Sequence, residues 1–138
     1  MAVVCPYCER NAELVNGNVI YPHRPDLAAK KFWLCPPCDA YVGCHAHGNG
    51  DRPLGRLANA ELRAAKQLAH IAFDPLWHDA RPHRNRLRKR AYEWLAGQLA
   101  IDPKQCHIGK FDVETCQRAT MICREHGHEF RPQRGTNQ

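Results

Sequence analysis

The chain has 138 residues, of which 43% are hydrophobic and 25% are charged, a composition typical of a globular protein and not of a disordered one. No apolar run approaches the length of a bilayer span, and the opening residues MAVVCPYCER lack the apolar stretch of a signal peptide. We therefore expect a cytoplasmic protein. The formal net charge is +6, and most of the excess lies in residues 81–100, where six basic side chains face a single acidic one.

The eight cysteines indicate either a disulfide framework or a metal site. A cytoplasmic compartment keeps thiols reduced, and four of the cysteines stand in two C-x-x-C pairs. Spacing and compartment together favour a metal.

Residues 1–50 are rich in Cys, Pro, Gly and aromatic residues and contain short apolar runs at 12–15, 19–21 and 31–34. The sequence Asn16-Gly17-Asn18 separates the first two runs. It is a hairpin signal because Asn and Gly tolerate positive φ. We predict short antiparallel strands, with a turn at Gly17.

A Gly- and Pro-containing linker around 47–53 leads into the region 51–130, which shows the periodicity of helices. The caps are side chains that accept hydrogen bonds from the first turn. The predicted helices are 60–73, capped by Asn59, about 85–100, and 113–126, capped by Asp112 and ended by Gly127.

Two prolines mark shorter features of this zone. Pro75 after Asp74 predicts a kink, and Pro103 after Asp102 predicts a short helical turn. The polar tail, residues 131–138, is predicted to be flexible.

The two C-x-x-C pairs are the strongest chemical signal in the chain. Each pair folds into a tight knuckle that points two sulfurs at one place, and two knuckles complete the S₄ shell that Zn²⁺ takes in structural sites. The 26 residues between the pairs leave room for a hairpin. A closed S₄ shell has no open position for water, so the zinc is predicted to be structural. The predicted ligands are Cys5, Cys8, Cys35 and Cys38.

Other possible metal ligands would allow a second metal site, although we predict only one site. The alternative is that Cys116 and Cys123 are small core residues on a helix and that Cys44 packs beneath the ribbon. His70, Asp74 and His78 stand at i, i+4 and i+8 like a hydrolytic metal face, but Pro75 breaks the helical register. The other donor groups are Cys44, His45 and His47; Cys123, His126 and His128; and the segment Cys106–Gly109.

With these motifs in order, the chain resembles a zinc-finger-containing family of phage and bacterial proteins of unknown function. The strings that carry the likeness are CPYC, FWLCPPCDAYVGCH, DRPLGRLANAELRAAKQLAHIAFDPLW, RAYEWLAGQLAI and CHIGKFDVETC. The resemblance implies a zinc ribbon followed by helices, the same four cysteine ligands, and a small accessory protein carried by phages or prophages. It implies no activity.

The basic segment, residues 81–90, holds six cations in ten residues at the start of a predicted helix. The helix dipole disfavours cations at that end, so an anionic partner such as DNA or RNA phosphate is the functional interpretation. The alternative is a solvated, arginine-rich surface. The predicted contacts are Arg81, Arg84, Arg86, Arg88, Lys89 and Arg90.

Aromatic residues of the ribbon offer stacking surfaces that would assist this binding, but we expect more of them to form the core, because a ribbon has little else to bury. These aromatics are Tyr7, Tyr21, Phe32, Trp33 and Tyr41.

Two other functions remain open. The basic helix is also suited to an acidic surface of a host protein, which would make the chain an adaptor or an inhibitor of a host nucleic-acid enzyme. A metal-dependent hydrolase is third, because the sequence has no phosphate-binding Gly loop, nucleophile elbow or paired-carboxylate motif. Only His70, Asp74 and His107 are catalytic candidates.

Together these features predict an α+β fold. A Cys₄ zinc ribbon of short antiparallel strands occupies residues 1–50 and packs with a region of three to four helices in residues 51–130.

Overall fold

The structure, a computed structural model, describes residues 2–130. The chain forms two compact units that divide between Arg63 and Ala64. Strands occur in the first unit and long helices dominate the second, so the predicted α+β class is confirmed. The elements are β1 (Glu13–Asn16), α1 (Gly17–Ile20), β2 (Lys31–Cys35), β3 (Ala40–Gly43), α2 (Ala60–Phe73), α3 (Arg84–Leu99) and α4 (Val113–Phe130).

The three strands form an antiparallel sheet in the order β1-β2-β3. Trp33 lies opposite Leu14 on one side and Val42 on the other. Because side chains alternate along a strand, Trp33 and Cys35 share the face that carries the core of the first unit. The buried members of that core are Cys5, Trp33, Cys35, Ala40 and Leu57.

The neighbouring position on β2 places Phe32 in an aromatic group on the other side of the strand. Its ring centroid lies 5.8 Å from that of Tyr21 and 6.4 Å from that of Tyr41, both in edge-to-face geometry. The rings of Tyr21, Phe32 and Tyr41 therefore pack against one another. Of the five aromatic residues named above as stacking surfaces, only Tyr7 is exposed, with a relative accessibility of 38%.

The predicted hairpin at Asn16-Gly17-Asn18 is wrong. Gly17 begins the short helix α1, and β1 pairs with β2 through a longer connection. The Gly17 N–H donates to the Lys30 carbonyl at 2.7 Å, and a Cβ on Gly17 would lie 1.8 Å from the Leu27 carbonyl oxygen. Glycine is required here for a close backbone approach and not for a two-residue turn.

The segment between β3 and α2 continues the first unit. Tyr41 pairs with Ala58 and Cys44 pairs with Pro53 in antiparallel bridges beside β3. The Trp33 indole N–H also donates to the Asp51 carbonyl at 2.7 Å. Pro53 and Ala58 were assigned from composition to the linker and the helical region, but in the structure they extend the strand pairing of the first unit.

The predicted starts of α2 and α4 are confirmed by their caps, whereas α3 begins at Arg84 without a side-chain cap. The Asn59 side chain accepts from the Leu62 N–H at 3.0 Å at the start of α2, and the Asp112 side chain accepts from the Thr115 N–H at 2.8 Å at the start of α4. Asp102 likewise caps a single helical turn, accepting from the Lys104 N–H at 2.9 Å. These caps satisfy N–H groups that have no partner inside the helix.

The predicted end of the last helix at Gly127 is wrong, because α4 continues to Phe130. Gly127 is buried, and a Cβ there would lie 3.3 Å from Leu76 Cδ2. The residue is small because another segment packs closely against it. The predicted flexible tail, residues 131–138, lies outside the described residues.

Helix α3 supplies much of the core of the second unit. Tyr92 packs on Phe73 with ring centroids 4.4 Å apart, and the Arg118 side chain of α4 donates to the Leu99 carbonyl at 3.3 Å. Within residues 2–130, no helix combines the length and the apolar character that crossing a bilayer requires. The buried residues of α3 are Ala91, Tyr92, Leu95, Ala96 and Leu99.

Candidate metal centre and basic segment

The two C-x-x-C pairs sit on two turns of the first unit. The Val4–Asn11 bridge brackets the first turn, in which the Cys5 carbonyl accepts from the Glu9 N–H at 2.9 Å. The second pair occupies the turn between β2 and β3, where Cys35 lies opposite Ala40. Each turn reverses the chain, so both cysteines of a pair point to one side.

The residue that follows each pair adopts a left-handed backbone. Glu9 has φ 65° and Asp39 has φ 50°, a conformation that favours glycine. Asp39 is also held in place by Arg63, whose guanidinium donates to the Asp39 carbonyl at 2.6 Å and to its carboxylate at 3.1 Å. The shared conformation shows that the two turns are built alike.

The four sulfurs of Cys5, Cys8, Cys35 and Cys38 all lie within 4.8 Å of one another. Cys8 Sγ and Cys35 Sγ, which come from different turns, are 3.6 Å apart. A tetrahedral shell with Zn–S bonds of about 2.3 Å has sulfur–sulfur edges of about 3.8 Å. The cluster therefore has the dimensions of a four-coordinate zinc site.

Burial and close packing make two of the four thiols hard to ionise in the absence of a cation. Burial and contacts with the thiols of Cys8, Cys35 and Cys5 raise the pKa of Cys38 to about 12. Burial also raises the pKa of Cys35. For Cys5 burial acts in the same direction, but N–H groups of Tyr7 and Cys8 and neighbouring thiols stabilise the thiolate and lower its pKa. Four thiolates this close together need a divalent ion to balance their charge.

The donor set fits zinc and leaves no ligand position for substrate. Four soft thiolates in a tetrahedral arrangement suit Zn²⁺, and all four positions are taken by protein. When bound, the ion would supply cross-linking of the two turns and no chemistry. The predicted single zinc site on these four cysteines is confirmed in position and ligand identity.

The other candidate ligands do not converge on one point. In the part of the chain that the structure describes, only the four-cysteine cluster brings three or more metal-ligating side chains together. His45 and His47 stack on each other with ring centroids 5.0 Å apart, while His126 pairs with Glu129 at 2.8 Å. Buried Cys123 belongs to the core of the second unit.

The structure brings His70, Asp74 and His78 to one surface cavity of about 460 Å³, although their donor atoms do not form a group of three that could hold a metal ion. His70 Nδ1 lies 3.2 Å from the Asp74 carboxylate, whereas His78 Nδ1 lies 3.3 Å from Asp79. Pro75 falls in the turn of 3₁₀ helix that follows α2, and the His78 N–H still donates to the Asp74 carbonyl at 2.9 Å, so the predicted break in register at Pro75 is wrong. These histidines form separate pairs with carboxylates.

The segment Cys106–Gly109 packs into the second unit. Cys106 and Ile108 are fully buried, and the Gly109 carbonyl accepts from the Lys66 ammonium at 3.0 Å. Burial raises the pKa of Cys106 to about 11. Burial and the charges of Lys110 and Arg88 lower the pKa of His107.

A comparison with protein families agrees with the four-cysteine geometry. A family model described as a zinc-finger-containing domain matches residues 1–126. The chain belongs to this zinc-finger-containing family. No curated protein and no solved structure is significantly similar to it. The zinc-finger assignment therefore rests on the family match together with the cysteine cluster.

In this zinc-finger protein the basic segment leads into and forms the first turns of α3. Arg81, Arg86 and Arg90 are exposed and line one surface cavity of about 310 Å³. Among residues 2–130, no carboxylate lies within ion-pair distance of any of the six cations. The segment therefore presents uncompensated positive charge to solvent.

Arg88 has a different environment from the cavity arginines. Its guanidinium lies 5.4 Å from the Trp77 ring centroid and 5.0 Å from that of Tyr92. Stacking on aromatic faces gives Arg88 a structural contact within the second unit. Arg84 is half-buried and Lys89 is exposed, and neither lines the cavity.

Sequence reasoning missed three contributors to these sites. Glu9 and Asp39 shape the turns, but only a glycine at those positions would have signalled a left-handed backbone. His83 lines the cavity with Arg86 and Arg90. The spacing i, i+3, i+7 places them on one helix face and was the available signal.

Proposed function

We propose that this zinc-finger protein binds nucleic acid through residues 81–90 and performs no chemistry of its own. The observation that supports it is that Arg81, Arg86 and Arg90 are exposed, lie beside one another along one cavity, and have no carboxylate partner among the described residues. Guanidinium groups bind phosphate oxygens in pairs and release condensed counterions from a nucleic acid.

The position of the basic residues at the start of α3 also supports nucleic-acid binding. The first turn of α3 contains no acidic residue, and His83 makes no side-chain cap. Positive side chains at this end oppose the helix dipole by a few tenths of a kcal/mol each, roughly. A phosphate group bound between these side chains would make the net interaction with the helix dipole favourable, since helix N-termini attract anions.

The zinc centre serves this function indirectly. It would cross-link the two cysteine turns of the first unit, whose hydrophobic core has only five buried residues. The family resemblance, and not the geometry, suggests that the protein is an accessory protein of a phage or prophage.

The test is a salt titration of binding to duplex DNA, single-stranded DNA and RNA. It compares the native protein with a variant in which Arg81, Arg86 and Arg90 are changed to alanine. The matched control changes three other exposed arginines to alanine, namely Arg52, Arg56 and Arg124.

The expected result is binding that falls steeply with salt. For duplex DNA, the log–log slope should become shallower by about 0.9 for each phosphate that the cavity variant no longer neutralises. The control variant has the same net charge and should keep the native slope. Equal slopes in the two variants, or no binding of the native protein at low salt, would reject the proposal. In the second case an acidic host protein becomes the partner to seek.

A further inference from the structure

The start of α2 is joined by hydrogen bonds to both cysteine turns of the metal centre. Asn59 and Arg63, at the start of the helix, contact residues that lie within or directly beside the two C-x-x-C pairs. All of these contacts belong to the first unit, which ends at Arg63. They are therefore a property of the unit that holds the four cysteines.

Tyr7 makes the connection to the first cysteine turn. It lies between Cys5 and Cys8, and its backbone N–H donates to Cys5 Sγ at 3.5 Å. Its hydroxyl oxygen accepts from the Asn59 N–H at 3.2 Å. Tyr7 thus contacts a metal ligand through its backbone and the start of α2 through its side chain.

Arg63 makes the connection to the second cysteine turn. Its guanidinium donates to the Asp39 carbonyl at 2.6 Å, to the Asp39 carboxylate at 3.1 Å and to the Ala58 carbonyl at 2.7 Å. It also lies over the Tyr41 ring, 4.2 Å from the centroid. Asp39 directly follows the ligand Cys38 and has a left-handed backbone, with φ 50°. The guanidinium therefore holds a conformation that a residue other than glycine adopts only at a cost.

The Arg63 contacts differ from those of an ordinary surface ion pair. Arg24 and Asp26 form such a pair, in which both side chains are more than half exposed and the residues are two positions apart. The Arg63 side chain is only 27% exposed, and it contacts a residue 24 positions away. A covered, planar group with donors on two segments has few other positions available, so it fixes Asp39 relative to the start of α2.

We propose that Tyr7 and Arg63 are positioning residues of the metal centre, which couple zinc binding to the ordering of the first turn of α2. Groups that orient metal ligands typically change the affinity for the metal about 10–100-fold when they are removed. The coupling acts in both directions, because an ordered helix start favours the metal-binding form of the two cysteine turns, and zinc in turn favours the ordered helix start. This inference does not depend on nucleic-acid binding.

The experiment measures two quantities in the full-length protein. The zinc dissociation constant is obtained by competition with a chelator, and amide hydrogen exchange of the zinc-loaded protein is followed by NMR. The variants are Tyr7→Phe, which loses only the hydroxyl, Arg63→Gln and Arg63→Lys. Arg56→Gln is the matched control, since Arg56 is an exposed arginine of the same unit. Val15→Ala, which truncates a half-buried side chain of β1, controls for a general loss of stability.

We expect Arg63→Gln to raise the zinc dissociation constant about tenfold or more. It should also accelerate exchange of the Asp39 N–H, which donates to the Pro36 carbonyl at 3.2 Å. Arg63→Lys should have a smaller effect, because lysine keeps the charge but loses the paired geometry. Tyr7→Phe should also weaken zinc binding, and it should accelerate exchange of the Asn59 N–H. Arg56→Gln should change neither quantity.

Removal of zinc from the native protein tests the reverse direction. The Leu62 N–H donates to the Asn59 side chain at the start of α2, and the Thr115 N–H donates to the Asp112 side chain at the start of α4. The two amides have the same kind of cap, but only the first lies in the unit that holds the cysteines. Leu62 should lose its protection from exchange when zinc is removed, and Thr115 should retain it.

Three outcomes would overturn the proposal. The first is native zinc affinity in both Tyr7→Phe and Arg63→Gln, and the second is retained protection of Leu62 without zinc. The third is uniform acceleration of exchange across the first unit, as expected for Val15→Ala, which would show only a general loss of stability. If Arg63→Gln does not fold, Arg63→Lys and Tyr7→Phe decide between the outcomes.

Discussion

Cys8 Sγ and Cys35 Sγ lie 3.6 Å apart although the residues are 27 positions apart in the chain. One sulfur belongs to the first turn of the ribbon and the other to the end of β2. The metal centre therefore joins the two ends of the β1-β2 region, and its loss should affect the whole first unit.

Replacement of Cys35 by serine should abolish zinc binding and unfold the first unit. Structural zinc contributes about 10–16 kcal/mol in small zinc modules, more than such a unit can lose. Zinc content per chain and the dispersion of amide NMR signals from residues 2–63 measure the effect. Cys44→Ser is the control, because Cys44 packs near the cluster without belonging to it. Unchanged zinc content in Cys35→Ser would contradict the assignment.

Replacement of Glu9 by glycine should stabilise the first unit. Glu9 is exposed and has φ 65°, so glycine removes a conformational penalty without removing a buried contact. After the entropy that glycine gains on unfolding is subtracted, the net gain is about 0.5–1 kcal/mol. Urea unfolding of the zinc-loaded protein measures it, with Glu9→Ala as the control that keeps the penalty. A glycine variant no more stable than the alanine variant would argue against strain in this turn.

Two glycine-to-alanine replacements should have opposite signs. Gly17→Ala places a Cβ 1.8 Å from the Leu27 carbonyl oxygen and should cost about 3 kcal/mol or more. Gly97→Ala, at an exposed position in the last turn of α3 where a Cβ would meet no other segment within 4 Å, should stabilise that helix by up to about 0.5–1 kcal/mol. Thermal unfolding of the two variants checks both signs. An unchanged Tm for Gly17→Ala would show that the segment after α1 can move to make room for the Cβ.

Replacement of Arg88 by alanine should destabilise the second unit by about 0.5–1 kcal/mol, because the variant cannot stack on Trp77 and Tyr92. Lys89→Ala, its exposed neighbour, should change the free energy of unfolding by less than about 0.5 kcal/mol. Urea titrations followed by tryptophan fluorescence compare the two. Equal effects would mean that the contact of Arg88 with the two rings does not stabilise the second unit.

The buried thiols of α4 should make the second unit sensitive to alkaline pH. Burial raises the pKa of Cys116 to about 11 and that of Cys123 to about 12, from an ordinary value of 9.0. Above pH 9 the unfolded chain releases protons that the folded state retains, so the free energy of unfolding falls as pH rises toward those values. One thiol contributes at most about 1.4 kcal/mol per pH unit.

Cys123→Ala should therefore make the decline of stability above pH 9 shallower, as measured by urea unfolding at a series of pH values. Ala119→Gly provides a control, since it weakens the same buried helix face without removing a titrating group. A native slope retained in Cys123→Ala would show that this thiol ionises as readily in the folded state as in the unfolded chain.

The metal ligands and the helix starts could be predicted from the sequence because their chemistry is local. A C-x-x-C pair brings two sulfurs together within one turn, and Asn59 and Asp112 accept hydrogen bonds from N–H groups three residues away. These features depend on few residues, so spacing and residue type were sufficient to locate them.

Tertiary packing decided the features for which local rules gave the wrong answer or none. Gly17 and Gly127 looked like a turn and a helix end, but each is small because a distant segment, at Leu27 or Leu76, approaches its Cα. The basic segment was one run of cations in the sequence. The fold placed the exposed Arg88 beside two aromatic rings and Arg81, Arg86 and Arg90 along a cavity, because the helical period turns neighbouring side chains to different faces and only packing determines what each face meets.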